Sequence, residues 1–475
     1  MSSLLVLDQG STATKGALLD RRGRIVAQEE VPVDTRAEGE RVELDAEALL
    51  AGVLQVLERC AREGEPDALA LACQRSTCLL WEREGGRPLT PALSWQDRRE
   101  AARVERLAHG SETVARLTGL RLSPHYAAPK LAGLLEAHPD PARRAAAGEV
   151  LAGTLDAWLV QRLTGRPSTE PGHAGRTLLY DLETDRWSTE LTDLWGIAEA
   201  SLPSLLPSRQ ERGTWHGIPL VAVLGDQQAA LLGHGGWTAG TCAVHFGTGA
   251  FVLLGTGTRI LRHQGLLSAV LASTSAERHS GRHSGRHSGR HFQLEGSINS
   301  AGSAVDAAVE RTGEILEAWR DRPLPDTGVP LVLPALAGLA APWWRADVSG
   351  LVPEGDELPK GPELLAAVLA GLAHRVGDIV EAMGDAGEVP TRLRTSGKLT
   401  RLAGLMQQLA DVTGVPVEVA EEEEAGLVGL FHLARGSMAE PPAQPARSFE
   451  PQWRSTHREE ERRRWRRFLR DRASV

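Results

Sequence analysis

The chain is poor in cysteine and poorer in lysine. Four thiols, Cys60, Cys73, Cys78 and Cys242, are spread over 475 residues with no CxxC pair and no zinc-ligand spacing. That argues against a disulfide scaffold or a zinc module and fits reduced thiols. Lysine occurs at Lys15, Lys130, Lys360 and Lys398 alone, so each stands out among the arginines, for which it is no equivalent. There is no basic excess either. A net charge of -9 excludes a general nucleic-acid binder, which needs a basic face to neutralise phosphates. No apolar run approaches the ~20 residues of a membrane span. The chain opens directly on an apolar run, Leu4 to Leu7, without the basic and apolar regions of a signal peptide. The expectation is a cytoplasmic protein with neither a nucleic-acid nor a membrane partner.

What is present is a globular composition, 41% hydrophobic and 24% charged, in a chain long enough for two domains. Residues 4–27 read as a β-meander with a polar turn at Asp8-Gln-Gly-Ser-Thr12. Residues 44–63 have helical periodicity, and 68–73 form a buried-strand run. Alternating strands and helices argue for a layered α/β fold. The opening recurs in mid-chain: an apolar strand ends in Gly225-Asp226, and Thr241 to Phe246 leads through Gly247-Thr-Gly249 into a second strand. Two related domains meeting near residue 222 are expected. Residues 278–291 repeat Arg-His-Ser-Gly, with histidine at every fourth position. A glycine in each turn costs about 1 kcal/mol against helix, so the tract reads as an expanded hairpin loop rather than a metal-binding helix. Four prolines in 440–454 suggest a connector, and 457–472 an amphipathic helix docked by Trp465, Phe468 and Leu469.

Several turns carry groups suited to phosphoryl transfer, which needs a phosphate cradle, a Mg²⁺ site and a carboxylate for the acceptor proton. Small residues in tight turns bring backbone amides close to phosphate. Both Asp8 to Lys15 and Gly247 to Gly249 have that form. Asp226, after an apolar strand, is either a general base or a helix cap. Gln74-Arg75-Ser76 and Ser94 to Arg99 offer donors for hydroxyls and, in Trp95, a flat face for C–H groups.

Taken in order from Leu4 to about Leu433, these segments resemble the FGGY carbohydrate kinases, the glycerol kinases above all. The resemblance also rests on Trp81, Gly153 to Trp158, Gly225 to Ala230, Phe246 to Phe251, Leu294 to Ser297 and Pro334 to Pro342 with Trp344. It implies two actin-like, ribonuclease H-like domains with the active site in the cleft between them. Residues 1–222 would bind acceptor and phosphate, and 223–440 the nucleotide. Residues 441–475 would form the connector and terminal helix. It implies ATP as donor, Mg²⁺ held at Asp8, and a small polyol or sugar as acceptor, and it leaves room for a homo-oligomer. Asp226 would be the general base. Arg75, Ser76, Trp95, His125, Gln227 and Phe251 would join it around the acceptor. Ser11, Thr12 and Lys15 would lie beside the phosphates, with Thr248 and Gly249 across from them and Gly302 and Gly397 bordering the nucleotide.

The chain departs from the family pattern in places. Ser76 replaces an acid, His125 a tyrosine, Gly133 a tryptophan, Ser396 a glycine and Arg401 an asparagine. A serine at 76 accepts hydrogen bonds less strongly and leaves more room than a carboxylate, which favours a larger acceptor. Two further readings stay open: a catalytically silent sugar- or nucleotide-binding regulator on the same scaffold, and an actin-like ATPase of the chaperone or filament class.

Overall fold

The meander expected at the start is β1 (Ser3–Gln9), β2 (Ala13–Asp20) and β3 (Ile25–Pro32), antiparallel, with Asp8 opposite Lys15 across the first turn. Helix α1 (Ala46–Arg62) is capped by Asp45, whose carboxylate accepts from the Ala48 amide, satisfying one of the amides a first turn leaves unpaired. Two apolar runs become β4 (Ala68–Cys73), parallel to β1, and β5 (Ile218–Gly225), parallel to β4. Continuous apolar sequence is what strands buried on both faces require. The sheet order is β3-β2-β1-β4-β5, with Thr214–Trp215 at the β5 edge.

The second sheet repeats that order. Strands β6 (Thr241–Phe246), β7 (Ala250–Gly257), β8 (Arg290–Ile298), β9 (Arg392–Gly397) and β10 (Val417–Val419) pair as β8-β7-β6-β9-β10, with β6, β9 and β10 parallel. The protein is thus a pair of ribonuclease H-like α/β domains of the actin-like type. The expected boundary at residue 222 falls inside β5, whose pairing with β4 continues to Gly225.

The computed structural model describes residues 3–275, 289–420, 424–437 and 445–475. The Arg-His-Ser-Gly tract lies outside them up to residue 288. Its last residues, read as loop, belong to β8 instead: Arg290 donates to Leu182 O at 2.9 Å and Glu183 O at 3.0 Å, and His291 stacks on Trp237. The proline-rich stretch is likewise more than a connector, since Arg447–Phe449 pairs with β10 at the sheet edge.

Helices α2 (Asp226–Gly233) and α4 (Ala425–Arg435) lie between the two sheets, and α3 (Pro362–Asp385) covers the outer face of the second. Leu4, Val6, Ala72 and Leu224 of the first sheet share one core with Leu231 of α2, Leu430 of α4 and Leu253 of the second sheet. The opposite face of the first sheet, with Leu5, Leu7 and Leu69, packs on α1. The backbones of α2 and α4 touch: a Cβ on Gly429 would lie 1.9 Å from Ala229 O, and one on Gly233 2.0 Å from Ala425 O. The terminal helix α5 (Ser455–Ala473) docks as expected, with Trp465, Phe468 and Leu469 buried and Trp465 Nε1 donating to Asp378 at 3.0 Å. Among the described residues no helix is long and apolar enough to cross a membrane.

Candidate active site

Parallel strands deliver their carboxyl ends to one side of a sheet, where open α/β folds bind ligands. Asp8 near the end of β1 is level with Ala72 on β4, and Gly225 at the end of β5 is level with Cys73. Asp8, Arg75 and Asp226 therefore emerge from neighbouring strand ends. In the second sheet Phe246 is level with Gly397, which places the 247–249 and 397–401 turns side by side. The two sets meet across a cleft, bridged by Arg75 Nη1 donating to Glu295 Oε2 of β8 at 2.9 Å.

Around Arg75, charge is paired. Glu295, buried, also accepts from Nη2 of Arg75 at 3.3 Å and from the buried Arg176. These two guanidiniums hold its carboxyl below the ordinary range, outweighing the opposing effect of burial. Arg75 Nη2 further donates to Gln227 Oε1, and its Nε lies 3.7 Å from Asp226 Oδ1. Arg75, expected as an acceptor contact, lies against Gln227 and Asp226. Asp226 opens α2, and its Oδ1 accepts from the Gln227 amide at 2.8 Å. Ser76 is buried with a left-handed φ of 64° and donates to Arg176 O at 3.2 Å. Lys130 ties the segment together from a fully buried position. Its ammonium donates to Ser76 O and Ser94 O at 2.8 Å and to His125 O at 3.1 Å, and burial lowers its pKa to about 8. His125 Nδ1 in turn sits 3.1 Å from Trp95 O. Gly133 leaves room for Glu100, whose Oε1 would lie 2.1 Å from a Cβ there.

Around Asp8, charge is left open. Asp8 Oδ1 is buried without a hydrogen-bond partner. Burial, with Asp226 and Glu424 nearby, pushes its carboxyl up to about 7 against the pull of Lys15. Lys15, expected beside the phosphates, pairs with Glu424 across the cleft at 3.1 Å, with Glu30 at 3.8 Å. The 10–13 turn carrying Ser11 and Thr12 is closed by Gly10 N donating to Ala13 O, and Thr12 is exposed. Opposite, Gly302 N donates to Gly247 O and Ala301 N to Thr248 O. The backbones approach so closely that a Cβ on Gly249 would lie 2.5 Å from Ile298 O and one on Gly397, at φ 95°, 2.1 Å from Phe246 O. Side chains are excluded there, which leaves backbone to line the turn.

The fold thus brings Arg75, Gln227 and Asp226 into contact and ties Ser76 to Arg176. It sets Asp8 near Asp226, Lys15 and Glu424. In the second domain Gly247, Thr248 and Gly302 are bonded together, with Gly249 and Gly397 packed on Ile298 and Phe246, and Phe251 pairs with His245 and Ser297. Sequence reading missed Arg176, Glu295 and Glu424 and gave Lys130 no role. Lys130 carried a signal in its rarity and Glu295 in its motif. Glu424 closes an acidic run that reads as solvated.

Residues 3–233 match the N-terminal domain, and 242–437 the C-terminal domain, of the FGGY family of carbohydrate kinases. The chain is 38% identical to a glycerol kinase of Thermus brockianus, over 92% of this chain and 91% of that one. It is 36% identical to one of Trichlorobacter lovleyi, over 91% and 90%. Among solved structures, the glycerol kinase of Plasmodium falciparum with ADP superposes with a TM-score of 0.88 at 22% identity, covering 99% and 98% of the two chains. A xylulose kinase of Lactobacillus acidophilus gives 0.84 at 19% identity, covering 99% and 98%.

Proposed function

We infer that this chain, which belongs to the FGGY family of carbohydrate kinases, transfers the γ-phosphoryl group of ATP to a hydroxyl of a small polyol or sugar, with Asp226 as general base. The observation that carries the reading is Asp226 itself. It is a half-exposed carboxylate at a strand end, held by the Gln227 amide and Arg75, and its charge is felt at His245, which adjoins Gly247. Asp226 takes the hydroxyl proton as the acceptor oxygen attacks the γ-phosphorus. The bond to the bridging oxygen breaks, and ADP leaves. General-base assistance of this kind is worth about 10²–10⁴-fold. Arg75 and Gln227 fix the base, while Trp95, His125 and Phe251 bound the acceptor space.

The phosphate end fits a divalent cation. The orphaned Asp8 oxygen, in a carboxyl raised by burial and two neighbouring acids, is a site that a positive charge would relieve. When bound with the nucleotide, Mg²⁺ supplies charge neutralisation between the phosphates. Among the described residues no group of three acids, histidines or thiols is placed to hold a metal. The backbone turns at 247–249 and 397–401 would hold the nucleotide, and domain closure would exclude water, the competing acceptor.

The test is ATP consumption with Mg²⁺ against glycerol, tetritols, pentitols, ketopentoses and ketohexoses. Turnover that depends on one acceptor, and falls by about 10²–10⁴-fold in Asp226→Asn with ADP binding kept, is the expected result. Full activity in Asp226→Asn removes Asp226 as the base. Nucleotide binding without turnover on any acceptor would point to a regulatory protein.

A further inference from the structure

Strand β6 carries a histidine to which the reaction above gives no task. His245 pairs with Phe251 on β7 and, in the parallel register, stands beside Ser396 on β9. Its ring is open to the cleft, and its Nδ1 lies 3.1 Å from Ser396 Oγ. A serine hydroxyl that donates to one imidazole nitrogen of a neutral ring leaves the proton on the other. That other nitrogen, Nε2, is the one turned to the phosphate cradle: a Cβ built on Gly247 would lie 3.7 Å from it. Surrounding protein lowers the pKa of His245, while the nearby Asp226 carboxylate pulls it the other way. The ring stays neutral at neutral pH, with one N–H to give. It thus stands among the 247–249 turn, the Ser396–Gly397 strand end and the proposed base.

We propose that His245 is a phosphate-binding residue whose Nε2–H donates to an oxygen of the phosphoryl group in transit between nucleotide and acceptor, with Ser396 as its positioning residue. No bond forms to the ring, and no proton leaves it. The proposal rests on the nucleotide reading of this cleft and adds a donor that tells the γ-phosphate from the rest of the nucleotide.

The test is calorimetric binding of ADP and of a non-hydrolysable ATP analogue, both with Mg²⁺, to the full chain, with circular dichroism as a check on folding. His245→Ala is expected to weaken the analogue by about tenfold, the loss of one hydrogen bond to a charged oxygen, and to leave ADP affinity unchanged. His245→Gln, whose amide can reach the same place, restores part of the loss, and Ser396→Ala gives a smaller loss of the same kind. Unchanged analogue affinity in His245→Ala, or equal loss of ADP and analogue, overturns the proposal. Wild-type protein that binds neither nucleotide would overturn the kinase reading first, and this one with it.

Discussion

The two ends of the cleft handle charge in opposite ways. At the Arg75 end, Glu295 is shared by two buried guanidiniums and Lys130 satisfies three carbonyls. At the Asp8 end, Asp8 has an oxygen with no partner, and the lysine opposite it is drawn away to a half-exposed Glu424. Each end has an ion pair that joins the domains, but one is sealed and the other is open to solvent. A buried network is stable only when every member is satisfied, whereas a buried carboxyl with an unpaired oxygen is held well above its ordinary pKa.

The contrast can be broken hardest at Glu295. Glu295→Gln leaves two buried arginines around a neutral amide, and breaking a buried pair costs about 3–5 kcal/mol. Urea unfolding of the whole chain is expected to show that loss. A change below about 1 kcal/mol, the worth of a surface pair, would mean the Arg75 end is not held by charge. Lys130→Met comes next. Three carbonyls lose their donor, at about 1–3 kcal/mol for a group left unsatisfied, and the acceptor KM rises while ADP affinity holds. An unchanged KM would show that the Ser76, Ser94 and His125 segments keep their places without it.

Asp8→Asn sharpens the comparison by reversing the sign. The folded-state pKa of Asp8 is raised to about 7 from 3.8. Its favourable contribution is therefore complete below about pH 4 and is lost as pH rises through 7. The asparagine variant is expected to melt higher than wild type at pH 8 without Mg²⁺, by about 2 °C or more, to lose that advantage only as pH falls to about 4, and to lose transferase activity. A lower melting temperature at pH 8 would mean Asp8 has a partner after all. The smallest effect is expected at Ser76. Ser76→Glu adds an acceptor for substrate hydroxyls and should lower the KM for glycerol by about tenfold at most. No change would place acceptor choice elsewhere in the pocket.

Much of this was legible in sequence because tight turns and buried strands have local rules. The doubled strand-turn-strand and the form of the Asp8 and 247–249 turns follow from a few adjacent residues, whereas those residues left Asp226 open between a base and a helix cap, and its role was an expectation from the resemblance. Gly249 was expected beside the transferring phosphate and Gly302 and Gly397 beside the nucleotide, and at all three the structure shows close backbone approach. What was not legible is pairing over distance. Arg75 meets Glu295 across 220 residues and Lys15 meets Glu424 across 409, and the local sequence does not say which residue each one meets. The extension of β8 to Arg290 was missed for the same reason, since its hydrogen bonds reach back to residues 182 and 183.

The crossing of α2 and α4 has a mechanical consequence. With glycine and alanine at the contact, the two backbones meet as smooth rods, without the interlocking side chains that would resist turning. Both helices also pack on the first sheet, and Asp226 heads one while Glu424 directly precedes the other, so the spacing of the two rods sets the spacing of those two carboxylates. A bulky residue at 233 or 429 would act as a wedge between the rods and change that spacing from a distance.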